Sequence, residues 1–249
     1  MTSGESYIFL AVLAGLALVA LIYLLSPMSL LDYVTARGAE LRERLRELLA
    51  RHEYPTDTKT HVLAAYVDLG LEYHKAIWLL KDAKLYGSAF ALLRLIYDAM
   101  LRGCWINKVA TPEQIEQALD DELRFPRMDR MRDDIRRAYV DSTPEGETVM
   151  QPEDADKFFK VLKDIWEVTS SYTHSGSLQL RRRFTNGEIK PNYSDADIVR
   201  VLGSATAALG LLVNMFFVSM RRFEEAVEVQ TMAQHYLAEF KGRLTKGGE

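Results

Sequence analysis

The chain has 249 residues, 35 acidic against 31 basic side chains, and a formal charge of −4. That length holds one ordinary domain plus an appendage. A composition 48% hydrophobic and 27% charged excludes general disorder, and the mild acidity excludes nucleic-acid binding by overall charge, leaving only a local patch to do it.

Residues 7–25 (YIFLAVLAGLALVALIYLL) run from Tyr7 to Leu25 without a charge. As a helix this run nearly spans a hydrocarbon core. Tyr7 and Tyr23 sit near its ends, where amphipathic rings favour the interface, and Pro27 stops it. The start, MTSGES, has no Lys or Arg, and no A-x-A site follows, so the reading is a retained anchor rather than a cleaved signal peptide. The first basic residues, Arg37, Arg42, Arg44, Arg46 and Arg51, all follow the run. Positive charge on that flank predicts an N-terminus outside and the bulk of the chain in the cytoplasm, at a membrane crossed once. Cys104, the only cysteine, agrees with a reducing compartment.

Residues 1–27 therefore read as the anchor, 28–57 as an amphipathic stalk or first bundle helix, 58–241 as a helical bundle and 242–249 as a polar tail. Leu30, Leu31, Val34, Leu41, Leu45, Leu48 and Leu49 recur at helical spacing, and the stretch 54–57 breaks that helix. A second helix is predicted over 58–84, with a turn at Gly87 and Ser88.

Residues 88–106 are apolar nearly all round, as in a bundle centre. Their only charges are Arg94, Asp98 and Arg102, four apart. Arg94 falls on an apolar face, so it needs a partner, and Asp98 is one turn on. Thr111, Pro112 and Gln114 form a capped helix start. Residues 124–140 alternate arginine with aspartate around Met128, Met131 and Ile135, an exposed self-paired face. Residues 142–152 read as a loop. The next helix, 153–172, turns Phe158, Phe159, Leu162, Ile165, Trp166 and Thr169 inward.

Asn186–Gly187 reads as a turn and Ser194 as a helix cap. Residues 201–220 are again uncharged. They read either as a second span or as the most buried bundle helix, and the polar residues among them favour the buried helix. Gly203, Ala207 and Gly210 make a small-residue stripe suited to close helix approach. The chain then continues as one amphipathic helix with Phe223, Val227, Tyr236, Leu237 and Phe240 inward. The fold class expected is all-α, a helical bundle behind an N-terminal single-pass transmembrane helix.

No phosphate-binding glycine loop, H-E-x-x-H, C-x-x-C or dinucleotide fingerprint occurs, and no cofactor or metal is expected. The chemistry concentrates in SSYTHSGSLQLRRRF, residues 170–184. There a helix end leaves carbonyls unpaired, which favours a cationic His174. Ser175 and Gly176 suit a tight turn, and Arg181, Arg182 and Arg183 follow. Histidine with arginines and hydroxyls can hold a phosphate-bearing ligand or RNA. The same residues also read as a histidine capping its own helix beside solvated arginines.

Three segments, ALLRLIYDAMLRGCWI (91–106), SSYTHSGSLQLRRRF and IKPNYSDADI (189–198), resemble an uncharacterised family of bacterial helical domains over about residues 58–220. The resemblance implies a helical fold and marks Arg94, Asp98, Thr173, His174 and Gly176 as motif positions. More distantly, the chain resembles the higher-eukaryote-and-prokaryote nucleotide-binding (HEPN) helical bundles. Many of these are RNases in bacterial defence, with a catalytic histidine and arginine. Their arginine precedes the histidine by four to six residues. Here Glu167, Val168 and Thr169 stand before His174, and the formal spacing occurs instead at Arg46 and His52.

Three functions follow as expectations. The first is a membrane-anchored interaction, sensing or ligand-binding module in stress or phage defence, in which Arg94 and His174 hold an anionic ligand or a partner's carboxylate. The second is a metal-independent RNase using His174 with Arg94. The third is a structural network of Arg94, Asp98, Tyr172 and His174. Asp98, Arg102, Tyr172, Thr173, Gly176, Arg181, Arg182 and Arg183 are the ligand-binding candidates, and self-association is compatible with each reading.

Overall fold

The computed structural model describes residues 31–120, 122–140 and 151–246. The expected anchor at 7–25 and nearly all of the expected loop at 142–152 lie outside the described residues.

The described chain is all-α, with one minimal hairpin. Helices α1 (Leu31–Ala50), α2 (Thr58–Asp82), α3 (Tyr86–Lys108), α4 (Pro112–Leu119), α5 (Met128–Val140), α6 (Pro152–Thr173) and α7 (Ser177–Arg181) lead to strands β1 (Phe184–Thr185) and β2 (Glu188–Ile189). Helices α8 (Asp195–Ser219) and α9 (Phe223–Lys246) complete it.

Local chemistry starts several of these helices. The Asp57 side chain accepts from the Thr60 amide, and Thr111–Gln114 and Ser194–Asp197 form reciprocal capping boxes. The break after α2 differs from expectation. It falls at 83–85, with Lys84 at φ 57, while Gly87 lies inside the first turn of α3. There the chain passes close by: a methyl on Gly87 would sit 3.1 Å from both Arg183 Nη2 and Tyr193 Oη.

Helix α8 is the centre, packed against α1, α2, α3 and α9. Of its most apolar 18-residue window, 78% is buried inside the bundle. Contacts fix the directions. His74 meets Thr206 and Thr60 meets Met220, so α2 is antiparallel to α8. Tyr86 meets Tyr193, and a methyl on Gly103 would touch Met215, so α3 runs parallel to it. Gly38 abuts Thr206 and His52 abuts Phe217, so α1 is parallel as well. Helix α6 returns along α3, with Ser170 at Arg94 and Thr173 near Ala91.

One end of the bundle therefore gathers the start of α1, the 83–85 turn, the 174–193 segment and the start of α8. The opposite end holds the 51–57 and 220–222 turns.

Two expectations for the last helices change. Gly203 does not mediate close approach: nothing lies within 4 Å of a Cβ placed there, and at Gly210 only the Ala233 methyl does, at 3.9 Å. The close approaches are at Gly38, 2.4 Å from the Trp78 ring by the same measure, and at Gly70, 2.7 Å from Leu212. The chain does continue as one helix, α9, after a break at Arg221, at φ 56, but its inward face differs in part from expectation. Tyr236 turns inward with Ala226, Val229 and Met232, while Phe223 and Val227 are exposed. The side chains of Leu237 and Phe240 lie outside the described residues.

Candidate functional site

Arg94 is buried on α3, as its apolar surroundings required. Its Nε donates to Asp98 Oδ1 at 2.7 Å, the partner one turn on. Its Nη1 donates to the Ser170 hydroxyl and to the Trp166 carbonyl, and its guanidinium lies 3.9 Å from the centre of the Trp166 ring. Ser170 in turn donates to the Trp166 carbonyl at 2.6 Å. A desolvated arginine is stable only when its donors are used, and here a carboxylate, a hydroxyl, a carbonyl and an aromatic face share them. Trp166 also walls a cavity of about 480 Å³ with Leu101, Met128 and Leu162.

The second cluster lies at the start of α8. Arg182 Nη2 donates to Asp197 Oδ1 at 2.9 Å, and its Nη1 donates to the Asn192 carbonyl. Its guanidinium stands 5.8 Å from the Tyr193 ring. Asp197 Oδ2 accepts from both the amide and the hydroxyl of Ser194, so one carboxylate caps the helix and holds the arginine. Tyr172 is buried against Phe90, with ring centres 4.6 Å apart, and Phe90 also meets Tyr193 at 5.3 Å. Burial raises the Tyr172 phenol above its usual range, against the pull of the adjacent Arg182. All three motif segments thus form one continuous seam.

The remaining candidates face outward. Thr173 is exposed and donates to the Thr169 carbonyl at 3.2 Å. Arg102 is exposed and lies over Phe125 at 4.9 Å. Arg181 and Arg183 are exposed. His174 occupies the C-cap of α6 and is exposed; its amide donates to the Ser170 carbonyl at 3.0 Å. No hydrogen bond joins its ring to Arg94 or to residues 181–183 among the described residues. The left-handed residue of this turn is Ser175, at φ 53, not Gly176. Gly176 is needed for space, since a Cβ there would lie 2.5 Å from Ser171 Oγ.

Arg46 and His52, the pair at formal nuclease spacing, diverge. Arg46 binds Glu43 on the surface, whereas His52 sits at the opposite end of the bundle between Arg222 and Glu225. Arginine only donates, so His52 Nδ1 accepts and Nε2 carries the hydrogen toward Glu225. No cluster of His, Cys, Asp or Glu among the described residues is arranged to hold a metal ion.

The sequence reading missed Ser170 and Trp166 as partners of Arg94, and Asp197 and Tyr193 as partners of Arg182. The one available sign was a surplus of hydroxyl and aromatic side chains along 166–172 with no other use.

A family model described as a family of unknown function (DUF6988) matches residues 67–242. That match starts inside α2 and reaches into α9, so it takes in the whole seam. No curated protein and no solved structure matches the chain.

Proposed function

The chain belongs to that family of unknown function, and we propose that it is a binding module held at a membrane by residues 7–25, with its helical bundle on the cytoplasmic side. Its site is the 174–183 turn, where Arg181 and Arg183 offer positive charge, and His174 a ring nitrogen, to an anionic, phosphate-bearing group. The observation that carries this reading is the division of labour along the seam. Arg94 and Arg182 are consumed by internal partners, whereas the neighbouring cations face water. A role in bacterial stress or phage defence fits such a module.

The test is titration of the detergent-solubilised full chain with short-chain inorganic polyphosphate, alongside incubation with a single-stranded RNA in chelator. Binding is expected to weaken on the order of tenfold or more in Arg181→Glu/Arg183→Glu, at about 1 kcal/mol per basic residue. The RNA is expected to stay intact. Chelator-resistant cleavage that disappears in His174→Ala would replace this reading with the HEPN-type RNase. In that case His174 would move the proton and an arginine would steady the phosphorane charge.

A further inference from the structure

The hairpin after α7 turns apolar side chains toward water. Asn186 and Gly187, both at positive φ, close it in two residues, the geometry that matches strand twist. Phe184 pairs with Ile189, and residues directly opposite on antiparallel strands project to the same face. They are 57% and 81% exposed. Leu180, in the helix just before, and Leu85, in the 83–85 turn at the same bundle end, are exposed as well.

Cations surround this apolar pair. Arg181 and Arg183 are exposed, Lys190 is exposed but donates to Glu188 Oε2 at 2.6 Å, and Arg182 is turned inward onto Asp197. Across 177–193 four basic residues stand against one acid, Glu188, in a chain of net charge −4. The patch is basic where the molecule is acidic.

Its position is equally specific. Trp78, near the end of α2, donates to the Thr35 carbonyl at 2.7 Å, so α1 begins at the bundle end that carries the hairpin. The uncharged run stops at Leu25, six residues before Leu31. Those six steps reach at most about 20 Å.

We infer that this end of the bundle rests on an anionic lipid bilayer, with Phe184 and Ile189 entering the headgroup–acyl boundary and Arg181 and Arg183 on lipid phosphates. The inference rests on the membrane-held reading above and identifies its anion as a lipid headgroup. A basic patch with exposed apolar residues gains twice at such a surface, from area leaving water and from the negative leaflet potential. A polyphosphate or RNA would satisfy the arginines but leave Phe184 and Ile189 in water. A second copy would set cation against cation.

The test uses the full chain carrying Ile189→Cys, labelled with an environment-sensitive fluorophore. Cys104, the one other cysteine and only partly buried, is removed by Cys104→Ser in the same protein so that the label sits at position 189 alone. The protein is placed in nanodiscs of phosphatidylcholine alone or with phosphatidylserine. The expected result is a blue shift, quenched by spin-labelled lipid, in the serine-lipid discs. Arg181→Glu/Arg183→Glu should remove most of it, and a label at Glu53→Cys, at the opposite bundle end, should show none. Protein that co-elutes with discs but shows no shift at 189 overturns the docking and leaves the membrane-held reading standing. Protein that fails to co-elute overturns both. An equal shift in both discs overturns the role given to charge, and a shift produced by RNA without lipid overturns the bilayer as occupant.

Discussion

His74 shows how one side chain can tie stability to pH. It is fully buried, its ring stacked 4.0 Å from Trp78. Its Nε2 lies 3.1 Å from the Thr206 hydroxyl, which itself donates to the Leu202 carbonyl, so Nε2 carries the hydrogen. Nδ1 is left as a buried acceptor without a hydrogen-bond partner. Burial, and then the charge of Arg42, lower its pKa to about 3. Between that value and the ordinary 6.5 the unfolded chain binds the proton and the folded chain does not. Stability from this residue is therefore full above pH 6.5 and falls as pH drops toward 3, by on the order of 1.4 kcal/mol per unit. Chemical denaturation of the solubilised full chain from pH 7 to 5 should show that slope, and His74→Gln should flatten it. Equal slopes in the two proteins would sink the assignment. Nothing in the sequence set His74 apart from the other four histidines, because its partner lies 132 residues away. Arg94–Asp98 was legible for the opposite reason, since a helix brings residues four apart together by its own geometry. Ser170 and Trp166, across a helix interface, were not.

Among elements, capped starts and the proline-marked break at 54–57 were legible, and two later breaks were not. Thr111 and Ser194 announce their helices through side chains that satisfy nearby amides, a rule contained in four residues. The breaks at Lys84 and Arg221 use left-handed residues that are neither Gly nor Asn, so composition does not mark them. The same limit applies to glycine. The stripe around Gly203 has the spacing of a close contact, but the surface it faces is open, whereas Gly38 takes the ring of Trp78. The two positions should therefore respond oppositely to alanine. Gly203→Ala should stabilise by about 0.5–1 kcal/mol through the backbone entropy it removes. Gly38→Ala should destabilise by about 1–3 kcal/mol, because the Trp78 ring must move. Denaturation midpoints decide it, and a shift of the same sign at both sites would contradict the packing described.

At the scale of the molecule, the all-α class and the buried placement of 201–220 followed from periodicity and from the polar residues in that run. The arrangement around it did not, because helix order in space depends on contacts far apart in sequence. Helix α8 touches four others along its length, so its amides open only when the bundle does. Native-state hydrogen exchange should find its central turns the slowest in the chain and the α5 amides much faster, since α5 packs chiefly on α3 and α6 among the described residues. Comparable rates would mean that the bundle opens in independent parts.

The direction of α8 has a further consequence for a molecule resting on its hairpin end. Its 25 residues rise about 37 Å, while mobile ions at physiological strength screen charge over about 8 Å. With α8 upright on such a surface, the Asp197 end would lie inside the counter-ion atmosphere of the lipid, and the Ser219 end more than about four screening lengths above it. The His52–Glu225–Arg222 group at that upper end would then meet bulk pH and salt unmodified by the surface, while the arginines below would meet a locally more acidic and ion-rich layer.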